Sequence, residues 1–228
     1  MFWQETKPEN EEYRVPGDVV DLGFRVRCSR LPVDHAWALC KAIHHVLPWL
    51  PDEARAGVHL IHGAESGNGW QRPDDTDYLI LSRRTRLNLR VPASRRNSAM
   101  TLCGARIEID DCVLEVGEAA EKSLIPSTTV FSRHVRTQAE GDEPSFLQET
   151  ARELTALGIE PRKMMCGRLH AFRSPDGPVY TRSVMIADLR LDESILLQQR
   201  GIGDLCAYGM GLFLPHKGID AVYRKTDE

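Results

Sequence analysis

Hydrophobic and polar residues alternate along the first half of the chain in a pattern that predicts a sheet with two helices. Period-two alternation predicts strands at 19–28, 58–61, 78–81, 87–91, 106–109 and 113–116. Apolar residues at helical spacing predict helices at 34–47 and 93–102, the first ending at Pro48 and Pro51. We interpret the order of these elements as a β-α-β-β-α-β unit.

The second half repeats this plan. Strands are predicted at 129–136, 164–172, 179–186 and 210–214, and helices at 144–157 and 194–199. Two consecutive β-α-β-β-α-β units predict an α+β fold made of two tandem ferredoxin-like (RRM-like) domains. We expect an N-terminal arm at 1–16, a first domain at 17–122, a linker at 123–127 and a second domain at 128–228.

Composition excludes several classes of protein. Of 228 residues, 42% are hydrophobic and 27% charged, which suits a packed globular chain and not a disordered or collagen-like one. No apolar run reaches membrane-spanning length and the N-terminus lacks an export pattern, so a cytoplasmic protein without membrane contact is expected. The six cysteines contain no Cys-x-x-Cys pair, and we expect small buried core residues.

Basic residues are concentrated in two clusters, although the formal net charge is −4. The first contains Arg83, Arg84, Arg86, Arg90, Arg95 and Arg96 without an acidic residue between them. The second contains Arg162, Lys163, Arg168, His170 and Arg173. Arginine suits phosphate oxygens and base edges, so both clusters predict RNA binding, the alternative being a solvated sheet edge.

Four glycines, Gly201, Gly203, Gly209 and Gly211, follow the last predicted helix, the fourth at the start of the last predicted strand. Residues without a side chain let the backbone approach a ligand and expose amide donors to phosphate. The segment lacks a Gly-Lys-Ser/Thr sequence and is followed by a strand, which excludes a Walker loop and a Rossmann fingerprint. It is either a ligand cradle or a tight turn.

Five of the eight histidines lie at positions 35, 44, 45, 59 and 62. His59 and His62 form a His-x-x-His pair, but a strand would place them on opposite faces, and no glutamate motif accompanies them. No metal site is therefore expected. Proton transfer is the alternative use of imidazole near neutral pH.

Helical geometry distinguishes the three histidines of the first helix. His44 lies on the apolar stripe beside Trp37 and Cys40, where a buried, hydrogen-bonded ring is expected. His35 lies nearly opposite that stripe in the first turn, where the helix dipole favours the neutral ring that a general base needs. His45 is intermediate, near the helix end.

A set of segments carries a family resemblance. These segments are Val-Asp-Leu-Gly-Phe-Arg-Val (20–26), Leu-Pro-Val-Asp-His-Ala-Trp-Ala-Leu (31–39), Pro-Trp-Leu (48–50), Gly-Val-His-Leu-Ile (57–61), Leu-Ser-Arg-Arg-Thr-Arg-Leu (81–87) and Gly-Met-Gly-Leu-Phe-Leu-Pro-His-Lys (209–217). Together they resemble the Cas-six family of CRISPR-associated endoribonucleases, which cut repeat RNA, and its myxobacterial-type branch in particular.

The resemblance implies metal-independent cleavage without a cofactor. A ribose 2′-hydroxyl attacks the adjacent phosphate and leaves a 2′,3′-cyclic phosphate and a 5′-hydroxyl, and the protein stays bound to the repeat stem-loop. His35 matches the branch's Asp-His and is the leading base, whereas other branches favour the position of His44 or His45. His59 lies in the matching Gly-x-His segment, and Lys217 would neutralise the phosphate. Some members use a tyrosine, for which Tyr208 is the candidate.

The resemblance also implies partners. The arginines at 83–90 and the basic residues at 162–173 would hold the repeat RNA, and the glycine-rich loop would lie near the cleaved backbone. Other CRISPR effector-complex (Cascade) subunits are possible partners. Two alternatives stay open: a ferredoxin-like subunit that binds guide RNA without cleaving it, and a metal-dependent hydrolase that uses His59 and His62.

Overall fold

The computed structural model of the protein describes residues 13–63, 77–138 and 141–216. Within these residues the chain forms a mixed α/β fold with a five-stranded, a four-stranded and a two-stranded antiparallel sheet. Most of the predicted arm lies outside the described residues, and residues 13–16 form no helix or strand.

The first half forms the five-stranded sheet, in the order β3-β5-β1-β7-β6. Its elements are β1 (Val19–Arg27), β2 (Arg30–Pro32), α1 (Ala36–Val46), β3 (Gly57–His59), β4 (Tyr78–Ile80), β5 (Arg86–Pro92), α2 (Arg96–Ala99), β6 (Arg106–Ile109) and β7 (Cys112–Ser123). The predicted strand at 78–81 does not join this sheet, because β4 pairs with β2, which was not predicted. The helix predicted at 93–102 is one α-helical turn between two 3-10 turns.

The second half forms the four-stranded sheet, in the order β11-β8-β10-β9. Its elements are β8 (Val130–Thr137), α3 (Glu143–Ala156), β9 (Lys163–Phe172), β10 (Val179–Ala187), α4 (Leu191–Arg200) and β11 (Leu214–Pro215). The last strand is shorter than the predicted 210–214, because Gly209 and Gly211 have positive φ angles that interrupt extended backbone.

Each half has an apolar core on one face of its sheet. Phe24, Leu39 and Leu89 are fully buried in the first core, and Phe146 and Phe213 are buried in the second. The cysteines are all free thiols, and Cys40 and Cys112 are buried as expected, whereas Cys103 is exposed. Successive residues of a strand point to opposite faces of its sheet. Alternate residues of β1 therefore point into the first core, and the residues between them lie on the opposite face of the sheet.

Arg90 lies on that opposite face and joins the two halves. Its guanidinium donates to both carboxylate oxygens of Asp21 (2.8 and 2.9 Å) and to the carbonyl oxygens of Gln198 (2.7 Å) and Phe213 (2.8 Å). Burial raises the pKa of Asp21, but His59 and Arg90 lower it by more, so the carboxylate stays ionised. Arg90 is 1% exposed, so its predicted role in RNA contact is replaced by a structural one.

We expect Arg90→Ala to lower the free energy of unfolding by about 3–5 kcal/mol, because it leaves Asp21 uncompensated and two buried carbonyl groups without donors. Urea denaturation of the full chain measures this change. The exposed Arg84→Ala serves as the control and should change stability by less than about 0.5 kcal/mol. Equal stability of the two variants would contradict the structural role of Arg90.

Candidate active site and RNA interface

Helix α1 contacts the glycine-rich segment through three aromatic rings. The rings of Trp37 and Tyr208 stack with centroids 4.5 Å apart and an interplanar angle of 12°. The ring of His44 meets Tyr208 edge-on, with centroids 4.9 Å apart. Tyr208 ends a 3-10 turn that Gly209 closes in the left-handed conformation (φ +84°), which a glycine adopts without strain. This contact brings a titratable ring and a phenol together.

The hydrogen bond of His44 determines its tautomer. Nε2 lies 3.0 Å from the carbonyl oxygen of Ala207, which can only accept, so Nε2 carries the proton. Nδ1 keeps its lone pair and has no hydrogen-bond partner among the described residues. Burial lowers the pKa of His44, the Ala207 hydrogen bond opposes this, and the charge of Lys41 lowers it further. His44 is therefore neutral near neutral pH, with an unprotonated Nδ1 that accepts from no described residue, and it is buried and hydrogen-bonded as expected.

His35 is held differently. It is the residue before α1, is 3% exposed, and its Nδ1 donates to the Pro32 carbonyl oxygen (2.8 Å) while Nε2 accepts from the Ile61 N–H (3.2 Å). Both ring nitrogens are thus engaged with backbone. The expectation that His35 faces away from the apolar stripe was wrong, because it precedes the helix and the chain after β3 covers it.

The remaining candidates lie apart from this contact or outside the described residues. His45 is exposed near the end of α1. His59 and His62 line one cavity, so the expectation of opposite faces was wrong: β3 ends at His59 and His62 is in the following loop. Among the described residues, no group of three or more His, Cys, Asp or Glu side chains is arranged to hold a metal ion. Lys217 lies outside the described residues.

The four glycines shape the loop for packing against protein. All have positive φ angles. A Cβ at Gly201, Gly209 or Gly211 would lie 2.7 Å or less from the Cys206 sulfur, Leu60 or the Ile202 carbonyl oxygen respectively, whereas at Gly203 it would meet no atom within 4 Å. The space beside three of the glycines is therefore filled by the protein, which favours the tight-turn alternative there.

Only part of the first basic cluster forms an arginine surface, because Arg90 is buried and Arg95 and Arg96 pair with Glu53 and Glu121. Arg83, Arg84 and Arg86 lie at the turn into β5 and have no carboxylate partner among the described residues. Arg25 on β1 is directly opposite Arg86 on β5, whereas Arg27 is opposite Glu115 on β7. Like charges opposite one another on neighbouring strands are unfavourable unless an anion binds there. The alternation of β1 contained this signal, but sequence reasoning did not add Arg25 to the cluster.

Carboxylates neutralise most of the second basic cluster. Lys163 pairs with Asp188 (2.8 Å), and Arg162 lies 3.5 Å from Glu193. Arg173, next to the β9–β10 turn, pairs with Asp34 (3.1 Å) and Asp110 (3.4 Å). Arg168 is exposed on β9 and has no carboxylate partner among the described residues. Arg168 therefore differs from Arg162, Lys163 and Arg173, whose charged groups lie near carboxylates of the protein.

The two sheets, the exposed arginines and the histidine–tyrosine contact are features of a nucleic-acid-processing protein. A family model described as Cas6 Crispr matches residues 20–218, so the chain belongs to the Cas6 family. This confirms the resemblance drawn from the sequence.

A relative agrees with this assignment, and two solved structures share the fold. The chain is 30% identical over 196 residues to the CRISPR-associated endonuclease Cas6 of Myxococcus xanthus (strain DK1622), covering 86% of this chain and 81% of that protein. Structures titled "CRISPR associated protein Cas6" and "An RAMP protein binding different RNA substrates" share its fold, with TM-scores of 0.62 and 0.61. These two structures are 11% and 12% identical in sequence to this chain. The matched regions cover 88% and 87% of this chain and 100% of each of the two solved chains. No helix in the described ranges has the length and apolarity that crossing a membrane requires.

We expect His35→Ala to lower the free energy of unfolding by about 2–3 kcal/mol, because it leaves the Ile61 N–H and the Pro32 carbonyl buried without partners. His45→Ala removes an exposed imidazole from the same helix region and should change stability by less than about 0.5 kcal/mol. Chemical denaturation monitored by circular dichroism compares the two variants. A His35→Ala protein as stable as His45→Ala would show that the two hydrogen bonds contribute nothing.

Stability should also fall as the solution is acidified. Burial is the main cause that lowers the pKa values of His44, His59 and His62 from the ordinary 6.5. Below that pH these histidines therefore bind protons in the unfolded chain but stay neutral in the folded chain, which favours unfolding. The loss develops from about pH 6.5 downward, before the ion-paired Asp21 contributes below about pH 4. Unfolding free energies measured across this range should decrease, and His62→Asn should make the decrease shallower. An unchanged slope in His62→Asn would contradict the assignment.

Proposed function

We propose that this protein is a metal-independent endoribonuclease that cleaves CRISPR repeat RNA in the cytoplasm and remains bound to the repeat stem-loop of the guide RNA. The proposal includes 2′-hydroxyl attack, with a 2′,3′-cyclic phosphate and a 5′-hydroxyl as the new ends. Family membership supports the substrate class. The observation that carries the chemistry is His44, a neutral imidazole with an unprotonated Nδ1 whose ring contacts Tyr208.

In this mechanism His44 Nδ1 accepts the proton of the 2′-hydroxyl. The 2′-oxygen forms a bond to the adjacent phosphorus as the bond to the 5′-oxygen breaks, and the leaving oxygen takes a proton. The Tyr208 hydroxyl is the proposed donor for the leaving oxygen, because its ring contacts His44. Lys41, one helical turn before His44, supplies positive charge for the phosphorane. Lys41 was missed from the sequence because one lysine on a helix carries no motif.

The geometry favours His44 over the other histidines. His35 would have to give up its hydrogen bond from Ile61 to accept a proton at Nε2. His45 is exposed, and no contact with the glycine-rich segment distinguishes it. His59 lines a cavity that includes residues of both halves. We therefore rank His44 first. The remaining candidates for a mutation series are His35, His45, His59 and Lys217.

The exposed arginines would hold the RNA. Arg83, Arg84, Arg86 and Arg25 present positive charge that no described carboxylate neutralises, which suits phosphate oxygens and predicts salt-dependent affinity. Arg168 would add a contact from the second half. We interpret the two main sheets as two tandem ferredoxin-like domains, since β8 to β11 follow the β-α-β-β-α-β order with the last strand beside the first.

The first test is cleavage of the cognate repeat RNA in EDTA. We expect one cut, and mass spectrometry of the new 3′ end should give the mass of a cyclic phosphate. Tight binding without a cut would instead support a guide-RNA subunit that does not cleave. Activity that disappears in EDTA and returns with zinc or manganese would support a metal-dependent hydrolase.

The second test assigns the base. His44→Ala should slow single-turnover cleavage by about 10²–10⁴-fold while RNA affinity changes little, because the base acts in the chemical step. The control is His45→Ala, the next residue on the same helix, which should cleave at about the wild-type rate. Loss of activity in His45→Ala with full activity in His44→Ala would reverse the assignment.

A further inference from the structure

The proposed proton donor, Tyr208, and the proposed base, His44, are on different segments of the chain. Tyr208 is the last residue of the 3-10 turn Cys206–Tyr208, whereas His44 is on α1. The Tyr208 hydroxyl has no hydrogen-bond partner among the described residues, so no such bond fixes the orientation of the phenol. Proton donation depends on the position of the donor, so another contact has to hold the ring near His44.

Trp37 makes this contact from the helix that carries His44. The stack of Trp37 on Tyr208, with 12° between the ring planes, sets the plane of the phenol. The edge-on contact with His44, at 84°, sets its distance from the base. Both arrangements are favoured for aromatic pairs. Trp37 and His44 are seven residues apart, about two helical turns, and therefore lie on the same face of α1. The phenol is held against this face at two points.

The first core does not need the Trp37 ring. Leu39 and Cys40 on the same helix are buried in that core, and Tyr208 packs against it. Trp37 is half-buried, and within the described part of the chain it is not among the side chains packed against the core. A large ring that adds little to the core but covers the ring of the proposed donor indicates a role at the site.

We propose that Trp37 is a positioning residue for RNA cleavage, which holds the Tyr208 phenol beside His44 so that its hydroxyl protonates the leaving 5′-oxygen. The proposal rests on the proposed function and adds that Trp37 serves the proton donor and not the base. As the bond between phosphorus and the 5′-oxygen breaks, its electron pair goes to the oxygen, which binds the Tyr208 proton. The phenolate then regains a proton from water. Trp37 takes part in no bond change and acts only through Tyr208.

The test changes the leaving atom of the RNA. One repeat RNA has the natural 5′-oxygen at the cut, and the second has a bridging 5′-sulfur at the same position. A thiol is much more acidic than an alcohol, so the sulfur leaves as a thiolate and needs no proton donor. Single-turnover rates at saturating protein are measured for both RNAs, and anisotropy of labelled RNA gives each Kd separately.

Two variants of the full chain remove the stacked ring. These are Trp37→Ala and Trp37→Leu, the second of which keeps apolar bulk on the helix in case the first folds poorly. Both should cleave the oxygen RNA about 10- to 100-fold more slowly, as expected for a misplaced donor, and the sulfur RNA within about twofold of the wild type. Trp37→Phe keeps a flat ring and should restore most of the rate with the oxygen RNA.

Three further variants separate the donor, the base and general loss of packing. Tyr208→Phe should also slow only the oxygen RNA, and adding Trp37→Ala to it should cause no further loss, because the two residues act in one step. His44→Ala should slow both RNAs, because the base acts whatever atom leaves. Trp49→Ala is the control, since Trp49 packs against the first core and contacts Arg95, and it should leave both rates unchanged.

Several results would overturn the positioning role while the proposed function stands. These are equal slowing of the two RNAs in Trp37→Leu, no slowing of either, or the Trp37→Ala pattern in Trp49→Ala. Weaker RNA binding with unchanged rates at saturating protein would make Trp37 an RNA contact and would also overturn the proposal. Wild-type protein that binds the oxygen RNA but never cuts it would contradict the proposed function itself, and the positioning role with it.

Discussion

The buried guanidinium of Arg90 is the interaction on which the arrangement of this protein depends. One arginine satisfies the Asp21 carboxylate in the first half and two carbonyl oxygens in the second half. The free-energy cost of removing the Arg90 guanidinium from water is offset, because each of these hydrogen bonds is charge-assisted. These bonds join β1 and β5 to the end of α4 and to the residue before β11, which flank the glycine-rich segment.

The glycine-rich segment then transmits this arrangement to the histidine site. Its positive φ angles let Gly209 pack against Leu60, so the turn that carries Tyr208 reaches α1. There the Ala207 carbonyl oxygen fixes the tautomer of His44. The glycines thus act through the side chains that they position, and binding of RNA by the backbone of the loop is not needed to explain them.

Much of the fold could be predicted from the sequence, because strand alternation and helical spacing are local properties. β1, α1, α3 and β9 lie within about two residues of their predicted bounds. The pairing of β4 with β2 could not be predicted, since it depends on a three-residue strand with no period of its own. The shortened β11 was missed because apolar residues between glycines resemble a strand, although the glycine φ angles prevent one.

The candidate site was harder to predict, because burial and ion pairing are properties of the folded chain. The sequence correctly placed His44 on the apolar stripe, but it could not show that chain returning after β3 covers His35. Arg83 and Arg90 have the same residue type in one cluster, yet one is on the surface and the other is in the interior. Only the contacts of Arg173 with Asp34 and Asp110 reveal that this arginine is engaged.

The central claim is that His44 activates a ribose hydroxyl of the RNA to attack its own backbone. The most direct measurement uses a repeat RNA in which the single nucleotide before the cut carries a 2′-deoxyribose. The account predicts that the protein binds this RNA with unchanged affinity and does not cleave it. Cleavage of the 2′-deoxy RNA at the same position would contradict the account, because the nucleophile would then come from elsewhere.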